Sequence, residues 1–309
     1  MGQQSSVPFK ASDYYSPRFW PMWCIIGLLR LVSLLPYPAG LAVGRALGRL
    51  VFLLSRSRQR IVDINLERCF PEKSLAERNR IKTEYYQNMG ISIIELAMCW
   101  WWPPSKLERL VEIEGREHLD AVLDSGRGVI LLSGHFTSLE IGGRLLVLSV
   151  PMQVMYRTQR NELFDSYLFT RRNSYFVNTV SRKNTRQLIR GIKQGVPTWY
   201  APDQDFSRER NVFAPFMGIE TATITAGSRL AAATGAAMLP FYPVRKKDDS
   251  GYLLRIEPPL PDFPSGDDLK DATAINHTIE KIVRRYPESY MWIHQRFKTR
   301  PPGEPPFYQ

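Results

Sequence analysis

Residues 134–140 (GHFTSLE) carry the combination in this chain most capable of chemistry: an imidazole, His135, directly after an apolar run, and a carboxylate, Glu140, five residues further on. Imidazole titrates at about 6.5 when unperturbed, which suits it to taking a proton from a substrate near neutral pH. A carboxylate on one ring nitrogen fixes the tautomer, leaves the other nitrogen free as a general base and stabilises the imidazolium that forms. Helical positions five apart are rotated by roughly 140°, so the two pair only if His135 precedes the helix and its ring folds back over the first turn. The same residues support a second reading. Thr137 can serve as a helix N-cap, with Glu140 reaching back to its backbone N–H in a capping box.

Residues 128–133 (GVILLS) predict the strand that delivers the histidine: apolar without alternation, as in a strand buried on both faces, with a helix following from about Thr137. Further strands are expected at residues 154–156, 177–180, 196–201, 238–245 and 252–256, and helices at 164–175, 184–194 and 224–234. Residues 72–102 read as helical until Pro103 and Pro104. Strands alternating with helices predict an α/β domain with a mostly parallel sheet flanked by helices, and place His135 at the strand end where such sheets keep their sites. Trp100, Trp101 and Trp102 fit core packing and a membrane-proximal surface equally. Residues 301–306 (PPGEPP) are expected to be irregular.

The N-terminal part is of another kind. Residues 19–35 are apolar except for Arg30 and Ser33, and as a helix would span roughly 26 Å. They are expected to form a membrane anchor, with Trp20, Trp23 and Tyr37 at interfacial depth. Residues 41–54, with Arg45 and Arg49, followed by Arg56, Arg58 and Arg60, are expected to lie on anionic headgroups as a basic amphipathic helix. This divides the chain into an anchor and interfacial helix over residues 1–60 and a catalytic domain over residues 61–309. Residues 1–6 (MGQQSS) match a myristoylation pattern, taken here as chance.

Composition is globular, with 44% hydrophobic and 12% aromatic residues, and the net charge of +11 draws anionic partners. Nucleic acid is not expected, because no recognition pattern accompanies the charge. Cys24, Cys69 and Cys99 lack paired spacing, and the four histidines form no metal-binding cluster, so neither disulfides nor a metal are expected. A serine esterase is disfavoured, since no GxSxG elbow is present.

Ordered blocks extend the signal beyond one histidine. Pro17-Arg18-Phe19-Trp20, Leu35-Pro36-Tyr37-Pro38, Asn65-Leu66-Glu67-Arg68-Cys69-Phe70-Pro71, the 134–140 segment, Tyr156-Arg157 and Trp199-Tyr200-Ala201-Pro202-Asp203 occur in that order. Tyr290-Met291-Trp292-Ile293-His294 and Arg296-Phe297-Lys298-Thr299-Arg300-Pro301 follow. Together they resemble the late (secondary) acyltransferases of lipid A biosynthesis, nearest the lauroyl branch, over almost the whole chain.

The resemblance implies a glycerolipid-acyltransferase-like fold at the cytoplasmic side of the bacterial inner membrane. It implies transfer of a fatty acyl group, lauroyl or similar, to a hydroxyl of the Kdo-bearing lipid A precursor. The donor it implies is acyl carrier protein bearing the acyl group on phosphopantetheine, with no other cofactor. His135 would be the base, Glu140 its orienting carboxylate, Asp203 a further acid and Arg157 an arginine near the reacting centre. Either Arg157 or backbone N–H groups beside Gly134 would receive the oxyanion. No GxSxG is present and no Cys lies near His135 in sequence, so direct transfer is expected. Arg208 and Arg210, with Arg182 and Lys183, are candidates for substrate contacts, since guanidinium forks suit phosphate and carboxylate. Thr158-Gln159-Arg160-Asn161 departs from the lauroyl pattern, which is richer in Asn, Asp and Pro there. The alternative acceptor is another phospholipid or glycolipid.

Overall fold

The computed structural model describes residues 9–205 and 211–308. Three helices open the fold: α1 (Trp20–Val32), α2 (Tyr37–Leu54) and α3 (Arg56–Cys69). The long α4 (Leu75–Trp101) begins in a capping box, with Ser74 accepting from the backbone of Glu77 and the Glu77 carboxylate accepting from Ser74. Then follow α5 (Pro104–Glu108), β1 (Val111–Glu114), α6 (Arg116–Asp124), β2 (Val129–Leu132), α7 (Leu139–Leu146), β3 (Gln153–Tyr156), α8 (Glu162–Asn173) and β4 (Asn178–Ser181). The remainder is α9 (Thr185–Lys193), β5 (Thr198–Tyr200), β6 (Asn211–Phe216), β7 (Ile219–Ile224), α10 (Ala226–Thr234), β8 (Ala237–Arg245), β9 (Tyr252–Ile256) and α11 (Asp268–Arg285).

Seven strands form one sheet in the order β1-β9-β8-β2-β5-β3-β4. Its pairings are parallel except β8 with β9. Strand β2 shows why the site sits where it does. All four of its residues are buried, with Val129 and Leu131 in the core on one face and Ile130 and Leu132 in the core on the other. Helices cover both faces, as the uninterrupted apolar run required.

The N-terminal helices differ from the expectation. The helix within residues 19–35 is only Trp20–Val32, 13 residues or about 20 Å long, too short for a ~30 Å hydrocarbon core. Among the described residues the helix long and apolar enough to cross a membrane is instead Tyr37–Leu54. One face of α2 is committed to protein. Gly40, Gly44 and Gly48 lie along one face, where a Cβ on Gly48 would stand 2.2 Å from the carbonyl oxygen of Tyr86 in α4. A Cβ on Gly90 would meet the Gly44 carbonyl at 2.0 Å, so only glycine permits this backbone contact. Arg45 does not face headgroups, because its guanidinium holds Asp249 at 2.5 and 2.7 Å. Buried Ile26 and Leu29 of α1 share the core of α4 and β2.

The other faces of these helices are bare. Trp20, Ile25, Leu28, Leu31 and Leu34 are exposed on and after α1, and Val43, Leu50, Leu53 and Leu54 on α2. The tryptophan run is mostly packing: Trp100 and Trp102 are buried, and the Trp102 indole donates to the Ser33 carbonyl at 2.7 Å, tying the end of α1 to the end of α4. The myristoylation-like residues 1–6 lie outside the described residues.

Candidate active site

His135 follows β2 by three residues and Asp203 follows β5 by three, and these two strands are neighbours in the sheet. The backbone N–H of His135 donates to Asp203 Oδ2 at 2.8 Å, while Nδ1 lies 2.6 Å from Asp203 Oδ1. One carboxylate therefore fixes both the backbone and the ring of the histidine. With its hydrogen on Nδ1, the ring leaves Nε2 as the basic nitrogen. His135 is 25% exposed while Asp203 is 3% exposed, so the imidazole is reached from outside and its partner is not.

The electrostatics follow from that arrangement. Burial opposes protonation of His135, but the charge of Asp203 and its hydrogen bond outweigh it and raise the imidazole above its ordinary pKa. Burial alone would raise the carboxyl of Asp203. Instead the His135 imidazole, their hydrogen bonds and the nearby Arg296 bring it down to about 2.

The orienting carboxylate expected at position 140 is thus replaced by Asp203. Glu140 is engaged elsewhere: Arg172 grips it through Nε at 3.0 Å and through Nη2, and the Tyr175 hydroxyl donates to it at 3.2 Å. This ion pair binds α7 to the last turn of α8. The capping-box reading fails as well. The helix starts at Leu139 with Ser138 as N-cap and no side-chain capping bond, and the Ser138 hydroxyl donates to the Pro243 carbonyl at 2.8 Å. Among the described residues Thr137 Oγ1 is buried without a partner.

The loop carrying His135 is clamped by a later segment. Met291 N–H donates to the His135 carbonyl at 3.0 Å and Thr137 N–H to the Ser289 carbonyl at 2.8 Å, while Phe136 and Tyr290 form an antiparallel bridge. Asn65 of α3 holds the segment by donating to the carbonyls of Trp292 at 2.7 Å and His294 at 3.0 Å. Arg296 is buried and donates to the Ala222 carbonyl at 2.6 Å and Thr223 Oγ1 at 3.1 Å. These C-terminal blocks are visible in the sequence, but nothing local to Tyr290, His294 and Arg296 assigns them a role. Their order alongside the histidine block was the available signal.

Arg157 stands just past β3, and Arg182 and Lys183 just past β4, so the same sheet edge carries them, all exposed. At about 4.8 Å per strand, Arg157 begins roughly 10 Å from the β2 line and Arg182 roughly 15 Å from it. The N–H groups of His135, Phe136 and Thr137 are already bonded within the protein, so those backbone donors are not free for an oxyanion. Arg208 and Arg210 lie outside the described residues. Asn161, in the departing stretch, caps α8 by accepting from the Phe164 N–H at 2.9 Å. Cys69 and Cys99 are buried free thiols and Cys24 is exposed.

A histidine held by a buried carboxylate at the edge of a parallel sheet could activate a hydroxyl, and comparison with known proteins agrees with acyl transfer. Residues 8–299 match the family described as bacterial lipid A biosynthesis acyltransferase. The chain is 38% identical over 297 residues to a lipid A biosynthesis palmitoleoyltransferase of Escherichia coli (strain K12), covering 96% of this chain and 97% of that one. It is 37% identical over 305 residues to a lipid A biosynthesis lauroyltransferase of the same organism, covering 98% and 100%. A lipid A biosynthesis acyltransferase of Haemophilus influenzae is 34% identical over 312 residues, covering 98% of each chain. With the family matched along almost its whole length, the chain belongs to the bacterial lipid A biosynthesis acyltransferases.

Proposed function

We propose that this acyltransferase moves a fatty acyl group, lauroyl or one of similar length, from acyl carrier protein to a hydroxyl of a Kdo-bearing lipid A precursor. The observation that carries the reading is the contact of His135 Nδ1 with Asp203 at 2.6 Å, which commits one ring nitrogen and leaves Nε2 as base. Nε2 takes the acceptor hydroxyl proton as the oxygen attacks the thioester carbonyl, and the imidazolium is stabilised by Asp203. The thiolate of the carrier then leaves and receives the proton from Nε2. Arg157, exposed at the same sheet edge, is assigned to the developing oxyanion. Glu140 acts at a distance, holding α7 against α8 behind the histidine loop. Transfer is direct, without an acyl-enzyme.

The bare apolar faces of α1 and α2 support seating on the cytoplasmic face of the inner membrane, with residues 1–60 as the membrane-contacting part and the remainder as the catalytic part. The test is mass spectrometry of lipid A from cells with and without the protein, paired with purified enzyme, acyl carrier donors and either the lipid A precursor or lysophosphatidate. One added acyl chain on the precursor, absent with His135→Ala, supports the reading. Acylation by the His135→Ala variant at the wild-type rate, or a preference for lysophosphatidate, overturns it.

A further inference from the structure

Beside the His135–Asp203 pair lies a cleft of about 240 Å³ lined by Arg58, Asp205, Ile293, His294, Gln295 and Lys298. Two of its lining residues, Asp205 and His294, connect it to that pair. Asp205 is two residues beyond Asp203, and His294 sits three residues after Met291, whose N–H bonds the His135 carbonyl at 3.0 Å. His294 also feels the charges of both Asp203 and His135.

Its charges are arranged for an anion. The acidic member, Asp205, has both oxygens occupied within the protein, Oδ2 by the Thr299 N–H at 2.7 Å and Oδ1 by the Thr299 hydroxyl at 2.9 Å. Arg58 and Lys298 are exposed and form no ion pair with any described residue. His294 Nε2 is buried without a partner among the described residues. Two cations without a described partner, an amide and an imidazole thus surround a space whose one carboxylate is engaged by Thr299 and outnumbered by the cations.

The apolar surroundings identify the molecule that carries the anion. Arg58 stands four residues after Leu54, which with Leu53 ends the bare face of α2 at 76% and 68% exposure. Hydrocarbon-compatible surface at the end of α2 thus runs, within four residues of chain, up to a cation that lines the cleft. We infer that this cleft binds the anionic headgroup, phosphate or carboxylate, of the acceptor lipid while its acyl chains remain along the end of α2. The inference rests on the acceptor reading above and adds the residues that select it. An acidic carrier protein is the lesser candidate, because a concave space of this size admits a headgroup and not a helix face.

The test uses the full-length enzyme in mixed micelles, with Arg58→Ala, Lys298→Ala and the double variant. Acceptor KM is expected to rise roughly tenfold for each single change and more for the double, with kcat and the carrier KM within about twofold. An acceptor analogue lacking its anionic groups should erase the difference between wild type and variants. An unchanged acceptor KM in folded variants overturns the inference, as does a rise confined to the carrier KM. A matching fall in binding to phosphatidylglycerol vesicles with no change of KM in micelles also overturns it, making the two residues general membrane contacts. If wild-type enzyme does not acylate the precursor at all, the acceptor reading fails first, and the two failures are told apart.

Discussion

Asp203→Asn tests the catalytic geometry most directly. Asp203 offers two acceptor oxygens to two donors of one residue, the His135 backbone N–H at 2.8 Å and the ring Nδ1 at 2.6 Å. An amide offers one acceptor and one donor. If its oxygen turns to the backbone N–H, its NH2 faces Nδ1. The ring then moves its hydrogen to Nε2, which removes the base. If the oxygen turns to Nδ1, two N–H groups confront each other at the backbone and the loop shifts. Hydrogen bonds to charged groups are worth about 1.5–3 kcal/mol, so a stability loss of about 2 kcal/mol is expected by thermal or denaturant unfolding. The larger effect is on rate, since forcing the wrong tautomer in a comparable carboxylate–histidine pair costs about 10⁴ in kcat. The pH profile adds an independent mark. In wild type the charge and hydrogen bond of Asp203 raise His135, so the acid limb of kcat/KM should have its midpoint above 6.5. In Asp203→Asn only the effect of burial remains, and the limb of the residual activity should move to lower pH. Folded Asp203→Asn enzyme with kcat within about fivefold of wild type and an unmoved acid limb would refute the assignment.

Glu140→Gln should act through stability instead. It leaves Arg172 largely buried without its charge partner, a loss of about 3 kcal/mol by denaturant titration, while the acid limb stays where it was. The His135–Asp203 pair also gives stability a pH signature. The contribution of raised His135 is full below about 6.5 and fades as pH climbs through its folded value, whereas that of lowered Asp203 holds above 3.8 and fades as pH falls towards about 2. Unfolding measured across pH should show both edges, and Asp203→Asn should remove both. Gly90→Ala drives a Cβ into the Gly44 carbonyl, so a loss of about 2 kcal/mol or more and faster proteolysis of the α2–α3 connection are expected. Replacing exposed Leu28, Leu31 and Leu53 together by Asp should abolish vesicle co-flotation while leaving thermal stability within about 1 kcal/mol.

The sheet was legible in the sequence wherever burial was two-sided. Val129-Ile130-Leu131-Leu132 carries no polar interruption, and a strand buried on both faces demands that. The β6–β7 hairpin was missed because its turn is Met217-Gly218, both at positive φ, instead of the Asn-Gly or Asp-Gly that announces such turns. Helix α11 was missed although Ala272, Ile275, Ile279 and Ile282 are spaced for it, so there the pattern was available. His135 and Asp203 were each singled out, but their pairing was not, because a separation of 68 positions carries no characteristic spacing. Strand order alone makes them neighbours. Glu140 drew attention by proximity in sequence, and its true partner Arg172, 32 residues on, has the same long-range origin.

The clamp of residues 289–291 on the histidine loop has a consequence for biogenesis. Residues 20–54, with the bare apolar faces, leave the ribosome well before the segment whose Met291 and Ser289 close on His135 and Thr137. On the membrane-seating reading proposed above, those faces are available to a bilayer before the site is complete. A nascent chain still short of residue 289 already holds His135 and Asp203 but lacks the struts that fix their loop, so the site forms only once nearly the whole chain has been made.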